Sequence, residues 1–165
     1  MKKIFDEVIL YSDTKRDSRG DMSRIFSRSA AEKLGISLDI KTLRVYDMPH
    51  RGTFVGIHYH KSPAAKLVTV VSGSGADFVV DLRPASPTYL KWDMNILSSD
   101  NRDVIYIPHG FGHAFMSLED NTVQIFACES ESASERINYM DERIGLVLPI
   151  DVSEISEADR TAMIL

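Results

Sequence analysis

His58 and His60 sit two residues apart in the run Gly56-Ile57-His58-Tyr59-His60. In an extended strand, residues i and i+2 share a face, so the two imidazoles project to the same side. An imidazole titrates near neutrality and suits the taking or giving of a proton. By spacing alone, His60 reads equally as a partly exposed strand residue. A third imidazole follows in Pro108-His109-Gly110-Phe111-Gly112-His113, a Pro-x-Gly-x-x-His pattern directly after a β-branched run. Proline fixes φ and glycine admits positive φ, so this stretch reads as a tight turn that aims His113 back toward the first two histidines.

These side chains need a scaffold, and the pattern around them is β. Short β-branched and aromatic runs cover 40–46, 53–60, 67–71, 76–82, 104–107 and 122–128, with a first strand near 8–11. Turn residues separate them at Pro49-His50-Arg51-Gly52, Ser72-Gly73-Ser74-Gly75 and Glu119-Asp120-Asn121. Many short strands with regular turns predict an all-β jelly roll. One short helix is expected over Ser29 to Gly35, with a capping-box start and a glycine stop, and helical character returns from Ser153 to Leu165.

The 165 residues suit one domain, 1–165, with a single active site. A net charge of −5 without a basic block argues against a nucleic-acid surface, but a few local cations in a cleft can still hold a small anion. Cys128 is the only cysteine and forms no intrachain disulfide. Asp6 and Glu7 interrupt the amino-terminal apolar stretch before it reaches signal-peptide length, and no apolar run approaches a membrane span. Cytoplasm is the expected compartment.

The two histidine motifs, in this order, resemble the two-motif signature of the cupin superfamily. A narrower resemblance runs through Asp17-Ser18-Arg19-Gly20, Gly56-Ile57-His58-Tyr59, Lys66-Leu67-Val68, Val80-Asp81-Leu82-Arg83, Ser86-Pro87-Thr88, Trp92 and Leu97-Ser98. It continues through Ile107 to His113, Glu135-Arg136-Ile137, Asp141 and Ser156-Glu157-Ala158-Asp159. In these stretches the chain is similar to the dTDP-4-dehydrorhamnose 3,5-epimerases. The resemblance implies a cofactor-free epimerase acting on a nucleotide-linked 4-keto-6-deoxyhexose, as in deoxysugar and O-antigen precursor synthesis. It places the general base at His58, the carboxylate that orients it at Asp159, and the cation that stabilises the enolate oxygen at Lys66. His113 and Asp77 fall at positions lining the cavity, and Arg19 at an arginine that reaches the neighbouring subunit's ligand in a homodimer with exchanged amino-terminal strands. From the residues alone, Asp159 reads also as part of a capping box, and Lys66 as a solvated strand-edge lysine.

The pattern breaks at three places. The family's acid is a tyrosine on the strand that here reads Thr122-Val123-Gln124-Ile125-Phe126-Ala127-Cys128, which contains none; depending on the alignment of the preceding turn, Ile125, Phe126 or Cys128 takes its place. By alternation Phe126 and Cys128 share a face, so the cavity gains a thiol, although a buried cysteine often serves only as a small hydrophobe. Tyr46, before the turn leading into the histidine strand, is the tyrosine placed to substitute; it could equally pack outward. The family's arginine before Gly-Leu-His is Val55, and its glutamate on the nucleotide side is Arg24, which leaves thymidine, cytidine and guanosine carriers open. Two other readings remain. One is a metal-dependent cupin using His58, His60 and His113, against which Ala64, Ala65 and Lys66 occupy the stretch where a carboxylate ligand belongs. The other is a non-catalytic sugar-nucleotide binding module.

Overall fold

The β-branched runs pair into two facing sheets, described over residues 1–165 by a computed structural model. In chain order the elements are β1 (Lys2–Ile4), β2 (Val8–Tyr11), β3 (Thr14–Asp17), β4 (Gly20–Ser23), α1 (Arg28–Lys33), β5 (Thr42–Met48), β6 (Thr53–Tyr59) and β7 (Lys66–Ser72). They continue with β8 (Ser74–Asp81), β9 (Trp92–Ser98), β10 (Val104–Ile107), β11 (Phe111–Ser117), β12 (Thr122–Cys128), β13 (Glu135–Ile137), β14 (Glu154–Ile155) and α2 (Glu157–Arg160). The first sheet runs β1-β2-β10-β7-β12-β5, and the second runs β13-β6-β11-β8-β9 with β14 added to β6. β3 and β4 form a separate hairpin. This is the jelly roll that the sequence predicts.

Alternation sorts the apolar side chains into three layers. Val68, Val70, Leu97, Ile105, Ile107 and Phe115 meet between the sheets. Ile9, Leu67, Val104 and Ala127 turn to the other side of the first sheet, where Ala31, Ile36 and Leu38 from the α1 region cover them. Phe54, Ile57, Phe78, Val80 and Met116 form the outer face of the second sheet, covered by the carboxy-terminal segment through Ile144, Leu146, Leu148 and Ile150. That segment carries α2 back to β6, where the two elements touch.

One irregularity decides which way the central histidine points. Between β6 and β11, His58 faces His113 but Val55 faces Phe115, so three steps along β6 match two along β11. Such a bulge reverses the alternation. Val55 and His58 therefore both face the interior, while Phe54 and Ile57 both join the outer core. The bulge contains Gly56, where an added Cβ would lie 3.1 Å from the Cβ and Cγ atoms of Asp159. Glycine lets the carboxylate come that close.

Several expectations shift. The turn expected over 108–113 ends at Gly110, whose φ is 94°, and Phe111 already opens β11. His113 is thus a strand residue, aimed by sheet pairing rather than by the turn. The helix expected from Ser29 starts at Arg28, and its N-cap Ser27 makes no capping side-chain bond to the helix backbone. The stop at Gly35 holds, with φ of 76°. Of the helical tail, only Glu157–Arg160 forms.

Candidate active site

The two sheets enclose a cavity of about 470 Å³. On the β6 and β11 side it is lined by Val55, His58, His113 and Phe115, with His60 just beyond the end of β6; on the other side lie Arg44 and Tyr46 of β5, Lys66 of β7, and Gln124, Phe126 and Cys128 of β12. Both histidines of the sequence pair face this space, as alternation requires, and so do Phe126 and Cys128. Tyr46 faces the cavity rather than packing outward.

His58 Nε2 lies 2.6 Å from Asp159 Oδ1. Asp159 stands in the first turn of α2, where its N–H donates to Ser156 Oγ at 3.1 Å. Only that half of the capping box forms, because the carboxylate turns toward β6. There Oδ2 accepts from the Gly56 N–H at 3.3 Å, and Oδ1 also meets Arg136 Nε at 3.2 Å. Burial pushes the Asp159 carboxyl up, but the hydrogen bond and charge of His58, aided by the Gly56 N–H and Ser156, outweigh it and hold the group at about 2. Asp159 is therefore ionised at neutral pH. Donating Nε2–H to it leaves Nδ1 of His58 as the nitrogen with the free lone pair.

A second pair lies alongside. His113 Nε2 is 2.7 Å from Asp77 Oδ2. Asp77 is fully buried and stands behind His113 instead of lining the cavity, which corrects the expectation for it. Burial raises the Asp77 carboxyl, opposed by His113 and Lys66. Lys66 reaches the main-chain oxygen of His58 at 3.4 Å. Burial lowers its ammonium group, opposed by Cys128 and Asp77. Burial likewise lowers His60, reinforced by the charges of Lys66 and Arg44, and His60 Nε2 sits 3.6 Å from Cys128 Sγ. The arrangement is a buried cation beside an imidazole–carboxylate pair, a geometry for taking a proton and stabilising the negative charge left behind.

The metal-binding trio does not assemble. No three His, Cys, Asp or Glu side chains converge as ligands. Arg19 and Arg24 also stand apart from the cavity. Arg19, on the β3–β4 turn, pairs with Asp17 at 2.7 Å with 88 % of its side chain exposed. Arg24 pairs with Asp13 at 3.1 Å and lines a separate hollow beside α1. Sequence reading passed over Arg44 and Gln124, although alternation from Tyr46 and Phe126 places both on the cavity side.

A sequence profile of the dTDP-4-dehydrorhamnose 3,5-epimerases matches residues 2–165. The chain belongs to that epimerase family. Among similar proteins, a dTDP-4-dehydro-6-deoxyglucose 3-epimerase of Streptomyces sp. is 36% identical over 119 residues, covering 68% of this chain and 61% of the relative. A dTDP-4-dehydrorhamnose 3,5-epimerase of Mycobacterium tuberculosis is 38% identical over 134 residues, covering 78% of this chain and 66% of the relative. The matched segments thus span under two thirds of the length of these relatives. The crystal structure of the Bacillus anthracis 3,5-epimerase with TDP and PPi bound superimposes with a TM-score of 0.93 at 27% identity, covering 100% of this chain and 98% of that one. Within this epimerase family, the chain's Phe126 and Gln124 make a β12 face without phenol, and Tyr46 lies directly across from Gln124 on β5.

The Asp159 carboxyl, held at about 2 against an ordinary 3.8, contributes stability that is complete above the ordinary value and lost as pH falls through the folded one. The difference amounts to about 2 kcal/mol. Asp159→Asn should therefore lose less stability than the unaltered chain between about pH 5 and pH 2. Urea midpoints across that range measure it, and identical acid sensitivity of the two proteins would contradict the assignment.

Proposed function

We propose that this chain epimerises a nucleotide-diphosphate-linked 4-keto-6-deoxyhexose at carbon 3, as a step of deoxysugar biosynthesis. The observation that carries the reading is the 2.6 Å pairing of His58 with ionised Asp159 in a cavity that also holds Lys66. Support for a nucleotide-sugar ligand comes from the TDP and PPi in the Bacillus anthracis structure. A 3'-monoepimerase of Streptomyces bikiniensis solved with dTDP-quinovose, with a TM-score of 0.85 and 29% identity over 94% of this chain and 82% of that one, supports it too.

His58 Nδ1 takes the proton from carbon 3, and the released electron pair moves into a carbon 3–carbon 4 double bond, leaving negative charge on the carbon 4 oxygen. Lys66 stabilises that enolate, and Asp159 balances the imidazolium that His58 becomes. A donor on the opposite face then protonates carbon 3, the ketone re-forms, and solvent resets both groups. Tyr46 is the proposed donor, with Cys128 second. A relocated donor serves one carbon, because proton transfer needs reach of about 2.6–3.2 Å, directly or through one water. Inversion is therefore assigned to carbon 3 alone.

Assembly as a homodimer with exchanged amino-terminal strands belongs to the same proposal. The β3–β4 hairpin stands off both sheets, Arg19 at its turn is exposed, and Leu43 and Val45 expose 69% and 62% of their surface on edge strand β5. Exposed apolar side chains on an edge strand favour a covering partner.

Incubation of the protein with 4-keto-6-deoxyglucose linked in turn to dTDP, CDP and GDP in heavy water should yield, with one carrier, a product bearing a single deuterium at carbon 3. Absence of solvent deuterium with every carrier would sink the reading. Tyr46→Phe should slow that turnover more than Cys128→Ser; the reverse ranking would make the thiol the acid. Sedimentation should find a dimer, and mixing inactive Arg19→Ala with inactive His58→Asn should regenerate activity through mixed dimers, whereas failure to do so would separate Arg19 from the partner's site.

A further inference from the structure

The carboxylate that holds His58 carries more than the imidazole. Asp159 Oδ1 meets two cationic partners, His58 Nε2 at 2.6 Å and Arg136 Nε at 3.2 Å, while Oδ2 accepts from the Gly56 N–H at 3.3 Å. Arg136 stands on β13 directly across from His58 on β6, so the two side chains share the face that looks into the cavity. The Asp159 side chain is 6% exposed and that of Arg136 43%, so the guanidinium forms the solvent side of a pair whose anion is buried. The proton-transfer scheme gives this cation no task.

A base must be neutral to accept a proton. An ionised carboxylate in hydrogen-bond contact favours the imidazolium, and by itself would keep the base protonated over a wider range of pH. A second cation on the same oxygen works against that, because it repels the imidazolium and takes up part of the charge on Oδ1. The other charged or titratable groups packed around His58 are His113 on β11, backed by Asp77, Lys66 on β7, with Nζ 3.4 Å from the His58 main-chain oxygen, and His60 beyond the end of β6. β14 joins β6 at Thr53 and Phe54, away from His58. Across the cavity stand Arg44 and Tyr46 on β5, Cys128 on β12 and Glu131 in the loop after it. Of all these, only Arg136 meets the oxygen that holds the imidazole. Its partial exposure screens the effect, so it adjusts the pull of Asp159 without cancelling it.

We propose that Arg136 is a positioning residue that acts through Asp159: by sharing Oδ1 with His58 it steadies the carboxylate and tempers its pull on the imidazole, so that His58 is free to take a proton over more of the pH range. Its value to the reaction rests on the reading of His58 as the epimerisation base, but the coupling is a property of the ligand-free protein and is measured there. The five histidines are titrated by NMR in the unaltered protein, Arg136→Gln and Arg136→Lys, with the His58 signal assigned by its loss in His58→Asn. In Arg136→Gln the His58 midpoint should move up by about 0.5–1 pH unit, and Arg136→Lys should return most of that shift. The difference between the unaltered protein and Arg136→Gln should shrink in about 1 M salt. The acid limb of kcat/KM for solvent-deuterium exchange should move in the same direction with KM little changed. If Arg136→Gln does not fold, Arg136→Met, which keeps the aliphatic stem, takes its place in the titration.

A His58 midpoint that falls, or stays within about 0.2 pH unit, in the folded variant would overturn the coupling and leave Arg136 as a surface ion pair. An unmoved midpoint joined to a rise in KM would overturn it too, and make Arg136 a ligand contact. A raised midpoint together with no deuterium exchange into any keto sugar would leave the coupling standing and remove the epimerase reading.

Discussion

The contact between His58 and Asp159 joins residues 101 positions apart, and much of the architecture serves to make it. The carboxy-terminal segment must pack across the second sheet so that α2 arrives beside β6. A bulge must turn His58 inward, and position 56 must lack a side chain, since a Cβ there would crowd the Asp159 carboxylate. The Gly56 N–H, freed at that bulge, donates to the same carboxylate. The Ser156 cap fixes the turn that carries it. Together they hold a carboxylate that stays ionised at neutral pH against the imidazole, so that orientation and charge balance are in place before any ligand enters.

That arrangement carries an electrostatic cost. Lys66 and Asp77 are both buried charges, and burial displaces each from its ordinary titration in the direction that disfavours ionisation. Asp77 leaves Oδ1 without a partner, and Gln124 leaves Nε2 unpaired. Sites arranged for charge developing in a transition state commonly sacrifice stability in this way. The apolar layers on either side of the cavity offset the loss: Phe54, Phe78, Phe115 and Ile57 are all almost fully buried.

Much of the fold was legible because burial on one face imposes alternation. The strands at 8–11, 104–107 and 122–128 match their expected bounds, and the other expected strands move by a residue or two. β9 was missed because Asp93 and Asn95 interrupt its apolar pattern; Asn95 is buried and is satisfied by Lys2 Nζ, a contact between distant segments that no local pattern reveals. β11 was hidden by its Phe-Gly opening, which reads as turn. In the site, the imidazoles followed from period-two spacing, whereas Asp159 needed family resemblance because its local signal is a helix cap. Arg44 and Gln124 lay on the predicted faces, but a polar residue on a strand declares nothing until the sheet closes over it. Asp77 shows the opposite error: a cavity position inferred by resemblance proved to lie behind the side chain that does line it.

The central claim is that His58, held by Asp159, is the base. Its most direct test is solvent-deuterium exchange at carbon 3 by His58→Asn, an amide of similar size that cannot accept the proton, with folding checked by circular dichroism. Because a general base typically contributes 10²–10⁴-fold, exchange should be at least about a hundredfold slower in the folded variant. Exchange above about a tenth of the unaltered rate would contradict it and place the base elsewhere.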